Sequence, residues 1–208
     1  MNNKGKFIVF EGLDGAGKST QIKILAKKLR QMNFQVYTTA EPTNSAIGGL
    51  IRDSLAGHYK RDLSELAALF MADRIAHNIN PVNGFQKFID SGMIVLCDRY
   101  YYSSFAYQST EQNAKWVMDI NLNCGCIRKP DLCIFLDISP QRCSDRISTE
   151  RAYSEIFENA ENMIKVRNNF YKVFDKLGDR ENIKIIDASG EIESTAGKIL
   201  DFVKEEIL

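Results

Sequence analysis

Gly12-Leu13-Asp14-Gly15-Ala16-Gly17-Lys18-Ser19 is a complete G-x-x-x-x-G-K-[ST] run. It follows the apolar stretch Phe7-Ile8-Val9-Phe10 and opens a helical pattern from Thr20. A strand, a glycine-rich loop and a helix are the context in which this motif holds phosphate. Backbone N–H groups of the loop form a nest for anionic oxygens, and the helix points its positive end at the same place. Lys18 supplies a mobile point charge toward the outer phosphates. The Ser19 hydroxyl is suited to Mg²⁺. The run therefore predicts a nucleoside triphosphate bound with Mg²⁺ by residues Gly12, Leu13, Asp14, Gly15, Ala16, Gly17, Lys18, Ser19 and Thr20.

Outward from the loop, short apolar runs alternate with amphipathic stretches. Strands are expected at Phe7–Glu11, Gln35–Thr39, Met93–Cys97, Leu132–Asp137 and Ile183–Asp187. Continuous apolar runs such as Met93-Ile94-Val95-Leu96-Cys97 suit strands buried on both faces. Helices are expected from Thr20, where Ile22, Leu25, Ala26 and Leu29 share a face, and at Ile47–Leu55, Leu63–Ile79, Gly84–Asp90, Ala114–Leu122, Ala160–Lys176 and Ile192–Ile207. Strands alternating with helices predict an α/β fold: a five-stranded parallel sheet flanked by helices, the three-layer P-loop NTPase architecture. At 208 residues one domain, 1–208, is the simplest organisation.

Composition narrows the function classes. The formal net charge is zero, which gives no support for a nucleic-acid coat or an anionic membrane surface. No apolar stretch approaches the roughly 20 residues of a membrane span. Met1 to Lys6 runs directly into the first strand, leaving no room for a signal peptide, so a cytoplasmic protein is expected. Of five cysteines only Cys124 and Cys126 are close together, and no C-x-x-C occurs, which argues against zinc.

In open parallel sheets, ligands bind beyond the C-terminal ends of the strands. Polar residues cluster there: Asp14–Ser19, Glu41-Pro42-Thr43, Asp98-Arg99-Tyr100 and Ser139-Pro140. Asp98, at a strand tip near a phosphate loop, is suited to order Mg²⁺ or its water shell. On its own such an aspartate serves equally as a backbone cap. Arg99 beside it is placed to grip a second phosphate, or to pair with Asp98 or Glu41.

Several stretches carry a resemblance to one family. Asp98-Arg99-Tyr100-Tyr101-Tyr102-Ser103-Ser104-Phe105-Ala106-Tyr107-Gln108 resembles the D-R-Y-x-x-S-x-x-A-Y-Q segment of thymidylate kinases. Phe7–Thr20 resembles their F-E-G-x-D-G-x-G-K-[ST]-T opening, and Glu41-Pro42 their E-P turn. Phe70-Met71-Ala72-Asp73-Arg74 is similar to their F-x-A-D-R helix, and Leu136-Asp137-Ile138-Ser139-Pro140 to their L-D-[VI]-x-P stretch. These motifs run through nearly the whole chain in family order and spacing.

The resemblance implies transfer of the γ-phosphoryl group of MgATP to dTMP, giving dTDP and ADP, by a homodimer whose interface could use the helix Leu63–Ile79. It implies that Phe70 stacks on thymine, with Arg74 one turn later donating to a carbonyl, although plain core packing is the residue-level alternative for Phe70. Arg99 would hold the acceptor phosphate, Ser104 and Gln108 would reach the base edge, and Tyr107 would crowd a ribose 2′-hydroxyl. Asp14 would serve the acceptor's 3′-hydroxyl or Mg²⁺, and Glu41 and Arg52 would assist on the acceptor side. Arg142 to Phe157 would form a lid. Gly15 stands where some relatives carry a basic residue, which shifts a catalytic cation to the lid. Arg151 is the choice for it, with Arg146 on the ATP side. Ala40 precedes Glu41-Pro42 where many relatives have arginine, and residues 148–155 match no common lid sequence closely. Asp187 to Gly190 would line the adenine side. Other nucleotide kinases and a nucleotide-controlled switch are the competing readings. The N-K-x-D motif that reads guanine is absent.

Overall fold

Five parallel strands order as β2-β3-β1-β4-β5 in the computed structural model, which describes residues 5–150 and 160–208. β1 (Lys6–Glu11) lies at the centre, between β3 (Ile94–Asp98) and β4 (Leu132–Asp137). β2 (Val36–Ala40) and β5 (Ile183–Asp187) take the edges. The central strands are apolar because both faces are covered: Phe7–Phe10, Val95–Cys97 and Leu132–Phe135 are entirely buried. Each expected strand is present, and none is displaced by more than one residue.

Helix α1 (Lys18–Gln31) follows the loop and buries Ile22, Leu25, Ala26 and Leu29 on one face. α2 (Ala46–Leu55) starts at Ser45, whose hydroxyl accepts from Gly48 N at 3.0 Å. α3 (Leu63–Ile79) starts at Asp62, whose carboxylate accepts from Ser64 N at 2.7 Å. α4 (Gln86–Asp90), α6 (Ala114–Leu122), α8 (Ala160–Leu177) and α9 (Ile192–Glu206) match expected helices. Among the described residues two further α-helices have no counterpart among the expected ones. α5 (Tyr101–Tyr107) buries six of its seven residues, so it shows no polar face in the sequence. α7 (Pro140–Glu150) begins with proline at its first position, where a missing N–H costs nothing. The stretch expected as a lid therefore begins as a helix, and residues 151–157 of it lie outside the described residues.

An aromatic cluster fastens α5 and α8 to the sheet. Phe135 of β4 meets Phe170 and Phe174 of α8 with ring centroids 4.9 and 5.1 Å apart. Tyr102 of α5 lies edge-on to Phe174.

Candidate active site

Three glycines let the loop after β1 turn back on itself. Gly12 (φ 146°), Gly15 (φ 78°) and Gly17 (φ 92°) occupy the positive-φ region that disfavours any side chain. At Gly12 there is also no space, since a Cβ would lie 2.8 Å from the carbonyl oxygen of Leu136 in β4. Gly17 then leads directly into α1, so the free N–H groups of the first turn face the loop. Lys18 folds over it: Nζ donates to the carbonyls of Gly12 (3.1 Å) and Leu13 (2.9 Å). Burial lowers the pKa of this amine, and Arg99 nearby lowers it further, against the pull of Asp98, Asp14 and Glu11.

Ser19 Oγ donates to Asp98 Oδ2 at 2.7 Å, across 79 positions of sequence. A hydroxyl and a carboxylate meeting at the mouth of a phosphate loop are hard oxygen donors of the type Mg²⁺ takes. Among the described residues no group of three or more His, Cys, Asp and Glu could cage a metal. These two oxygens fit an ion that keeps most of its shell as water and phosphate oxygen.

On the other side of Asp98 stands Arg99, itself at φ 68°. Its Nη2 donates to Asp14 Oδ1 at 2.7 Å, its Nη1 donates to Ser103 Oγ at 2.9 Å, and its guanidinium lies 5.1 Å from the Tyr107 ring centre. Burial works against this charge, but Asp14 first, then Tyr107, Glu11 and Asp98, hold the pKa well above its ordinary value. Burial also raises the pKa of Tyr107, so its phenol stays protonated.

A single cleft of about 670 Å³ joins these groups. Asp14 to Gln21 form its floor, and Glu41, Arg52, Phe70, Asp98, Arg99, Ser103, Tyr107, Gln108 and Arg146 also line it. Phe70 packs with Ile51 and Leu66 and shows its remaining surface to the cleft. Arg52 is exposed and donates to the carbonyl of Thr43 at 2.5 Å.

Four of the expected residues that the structure describes, Gly12, Leu13, Arg74 and Ser104, do not line the cleft; Gly12 and Leu13 meet it only through their carbonyls, which hold Lys18. Arg74 is only 1 % exposed and is spent on protein partners. Its Nε and Nη2 donate to Glu41 Oε2 (2.8 and 2.6 Å), and its Nη1 donates to Asn121 Oδ1 (2.6 Å) and Ser104 Oγ (3.3 Å). Glu41 also meets His77 Nδ1 at 3.0 Å through its other oxygen. A buried arginine with four hydrogen bonds is a fixed node of the wall. Next to it, Asp73 accepts from Thr43 N (2.7 Å), Thr43 Oγ1 (2.5 Å) and Ser45 Oγ (2.7 Å), tying the turn after β2 to α3.

The far end is closed by the loop after β5. Arg142 donates to the carbonyl of Ser189 at 2.6 Å, and Arg146 to the carbonyl of Gly15 at 3.2 Å. Ala188, Gly190, Ile192 and Thr195 complete the lining there. Arg151 lies outside the described residues. Among those described, two residues that line the cleft carry a buried amide oxygen with no hydrogen-bond partner: Gln108 Oε1 and Gln21 Oε1. Gln108 follows β3, and Gln21 donates through Nε2 to Ile192 O beyond β5 at 3.0 Å, so they flank the phosphate loop on opposite sides.

Sequence reasoning passed over Gln21, Asp73, His77, Asn121 and Glu11. Gln21 interrupts the apolar stripe of α1, and Glu11 ends an apolar run with a charge, so each left a signal. Asn121 left none, because its partner lies 47 positions away.

A phosphate loop at the central strand, an acidic residue at the next strand tip and a partly buried cation beside it define a P-loop phosphotransferase. Residues 10–199 match the family model for thymidylate kinase, and the chain belongs to that family, whose reaction phosphorylates dTMP to dTDP with ATP as donor. A chain from Pyrococcus horikoshii named as a probable thymidylate kinase is 34% identical over 99% of this chain and 98% of its own length. A Treponema pallidum chain named as a putative thymidylate kinase is 33% identical over 99% and 98%. The solved thymidylate kinase of Candida albicans superimposes with a TM-score of 0.82 at 26% identity, covering 97% of this chain and 92% of its own. No helix among the described residues is long and apolar enough to cross a membrane.

Proposed function

We propose that this chain carries the γ-phosphoryl group of MgATP to dTMP with the donor and acceptor on opposite sides of the phosphate loop. The pair of unpartnered buried oxygens supports this division most directly. An orphaned buried acceptor is costly, and each is relieved by a base that offers an N–H. Gln108, which lines the same cleft as Phe70, suits the N3–H of a thymine stacked on that ring. Gln21 Oε1 suits an amino group on the donor base.

In this reading the loop amides and Lys18 hold the donor phosphates, and Arg99 holds the acceptor phosphate after exchanging Asp14 for it. Asp14, freed of its cation, faces the acceptor sugar. Mg²⁺, when bound by Ser19 and Asp98, would neutralise charge on the transferring group. Arg146 serves the ATP side. Tyr107 closes over the acceptor sugar. Glu41 and Arg74 act from the wall by holding each other and Ser104 in place, while Arg52 borders the acceptor entrance. Alignment and charge neutralisation provide most of the catalysis, since the phosphoryl group needs little covalent assistance.

The test is ADP formation from MgATP with dTMP, dUMP, UMP, dCMP, dGMP and thymidine offered separately. A strong preference for dTMP is expected. Preference for another acceptor would discard the thymine roles of Phe70 and Gln108, and acceptor-independent hydrolysis would discard phosphoryl transfer to a nucleotide altogether.

The same reading includes a second copy of the chain. Ala68, Ala72 and Ile79 form an exposed apolar stripe on α3, and Leu50 of α2 and Trp116 of α6 are exposed beside it. Light scattering should return twice the 23.6 kDa chain mass; a single chain mass at micromolar concentration would remove the dimer from the proposal.

A further inference from the structure

Glu11 has no part in the chemistry assigned above, yet it is a fully buried carboxylate at the end of the central strand. Its Oε1 accepts from the backbone N–H of Tyr100 (2.9 Å) and of Ser103 (3.1 Å). Its Oε2 accepts the Ser103 hydroxyl at 2.6 Å. That hydroxyl oxygen is the one that accepts from Arg99 Nη1 at 2.9 Å. A continuous relay therefore runs from β1 through Ser103 to the guanidinium.

A buried carboxylate carries a large desolvation cost, and burial does push the Glu11 pKa up to about 7, against the opposing pull of Arg99, the Ser103 and Tyr100 bonds and Lys18. An apolar residue would end the strand at lower cost. The carboxylate secures something an apolar residue cannot: two backbone N–H groups and a hydroxyl in the turn immediately after Arg99. Arg99 needs such support. Its φ of 68° is sparsely populated for a side-chain-bearing residue and persists only where the surroundings over-determine it.

We propose that Glu11 is a positioning residue for the acceptor: by clamping the Tyr100–Ser103 turn and orienting the Ser103 hydroxyl, it holds Arg99 in the geometry that binds the dTMP phosphate. The inference rests on the reading of Arg99 as the acceptor-phosphate residue. It assigns Glu11 to dTMP affinity and leaves ATP binding to the loop and Lys18.

Glu11→Gln separates these roles. The amide oxygen still accepts from both backbone N–H groups, but its NH₂ now faces the Ser103 oxygen, and the serine proton loses its acceptor. A neutral amide carries no buried charge, so the fold should persist, and a thermal melt checks this. The KM for dTMP should rise about tenfold or more, as expected for losing a hydrogen bond to a charged group. The Kd for ATP should stay within twofold. Ser103→Ala should raise the dTMP KM as well, and the double variant should be little worse than either single one, because both break one relay. Equal weakening of ATP and dTMP, or an unchanged dTMP KM, would overturn the positioning role. Arg99→Ala run in parallel separates the two failures. If it raises the dTMP KM while Glu11→Gln does not, only the role of Glu11 falls. If it leaves the dTMP KM unchanged, the acceptor reading falls and this inference with it.

Discussion

Lys18→Ala should lower kcat by on the order of 10³-fold while leaving the melting temperature close to that of the parent protein. Lys18 is 7 % exposed, and among the described residues its Nζ donates to the carbonyls of Gly12 and Leu13. Those two bonds hold the amine ready above the loop and contribute little to the sheet. Loss of a buried cation also relieves a desolvation cost, which is visible in the lowered pKa of the amine. The effect on transfer is large because this charge sits where negative charge gathers on the reacting phosphates. Lys18→Arg should fail almost as badly, since a planar fork cannot take the place of a compact ammonium between two carbonyls. Steady-state kinetics with thermal melts decides the matter. Turnover within tenfold of the parent would remove Lys18 from the chemistry.

Arg99→Ala should raise the dTMP KM on the order of 100-fold and leave the Kd of ATP nearly unchanged. Truncating one member of a close charge pair removes its attraction and leaves the partner's charge behind. Here the partner is Asp14, whose Oδ1 accepts from Arg99 at 2.7 Å. The Asp14 carboxylate, without this cation beside it, would repel the incoming phosphate as well as fail to hold it. Arg99→Gly gives the control. Both variants lose the guanidinium, but glycine also relieves the positive φ, by about 1 kcal/mol or more. The glycine variant should therefore melt higher than the alanine variant while binding dTMP equally poorly. If dTMP affinity followed melting temperature instead, Arg99 would be a backbone device and not a phosphate grip.

The fold was legible because burial on both faces leaves a plain mark. Val95-Leu96-Cys97 and Leu132-Cys133-Ile134-Phe135 are apolar without interruption, and each is a strand. The same argument explains the missed helix. Tyr101 to Ala106 are all buried, so α5 lacks the polar stripe by which a helix is recognised, and its aromatic residues favour strands by propensity. The loop and its neighbours were legible for a different reason, since Gly12 to Ser19 is a local pattern. Pairings across long distances were not. Nothing near Arg74 in sequence indicates that Glu41 and Asn121 occupy its guanidinium, 33 and 47 positions away. Nor does the strand end at Glu11 announce a serine 92 positions later. Local spacing shows which residue types are present at the site, but only the sheet order shows which of them are spent on one another.

That sheet order also sets a timetable. β1 is made first but sits in the middle: Ile8 pairs with Leu96 on one side and with Leu132 on the other. At about 5–20 residues per second a ribosome needs on the order of ten seconds to supply both neighbours. Until β3 emerges this largely apolar strand has no ladder to join, and its second neighbour comes later still. The turn at Gly12 waits as well, because the carbonyl of Leu136 that it packs against belongs to the later strand. The nucleotide therefore cannot assist the early stages of folding, and the nascent chain depends on whatever shields Phe7–Phe10 in the interval.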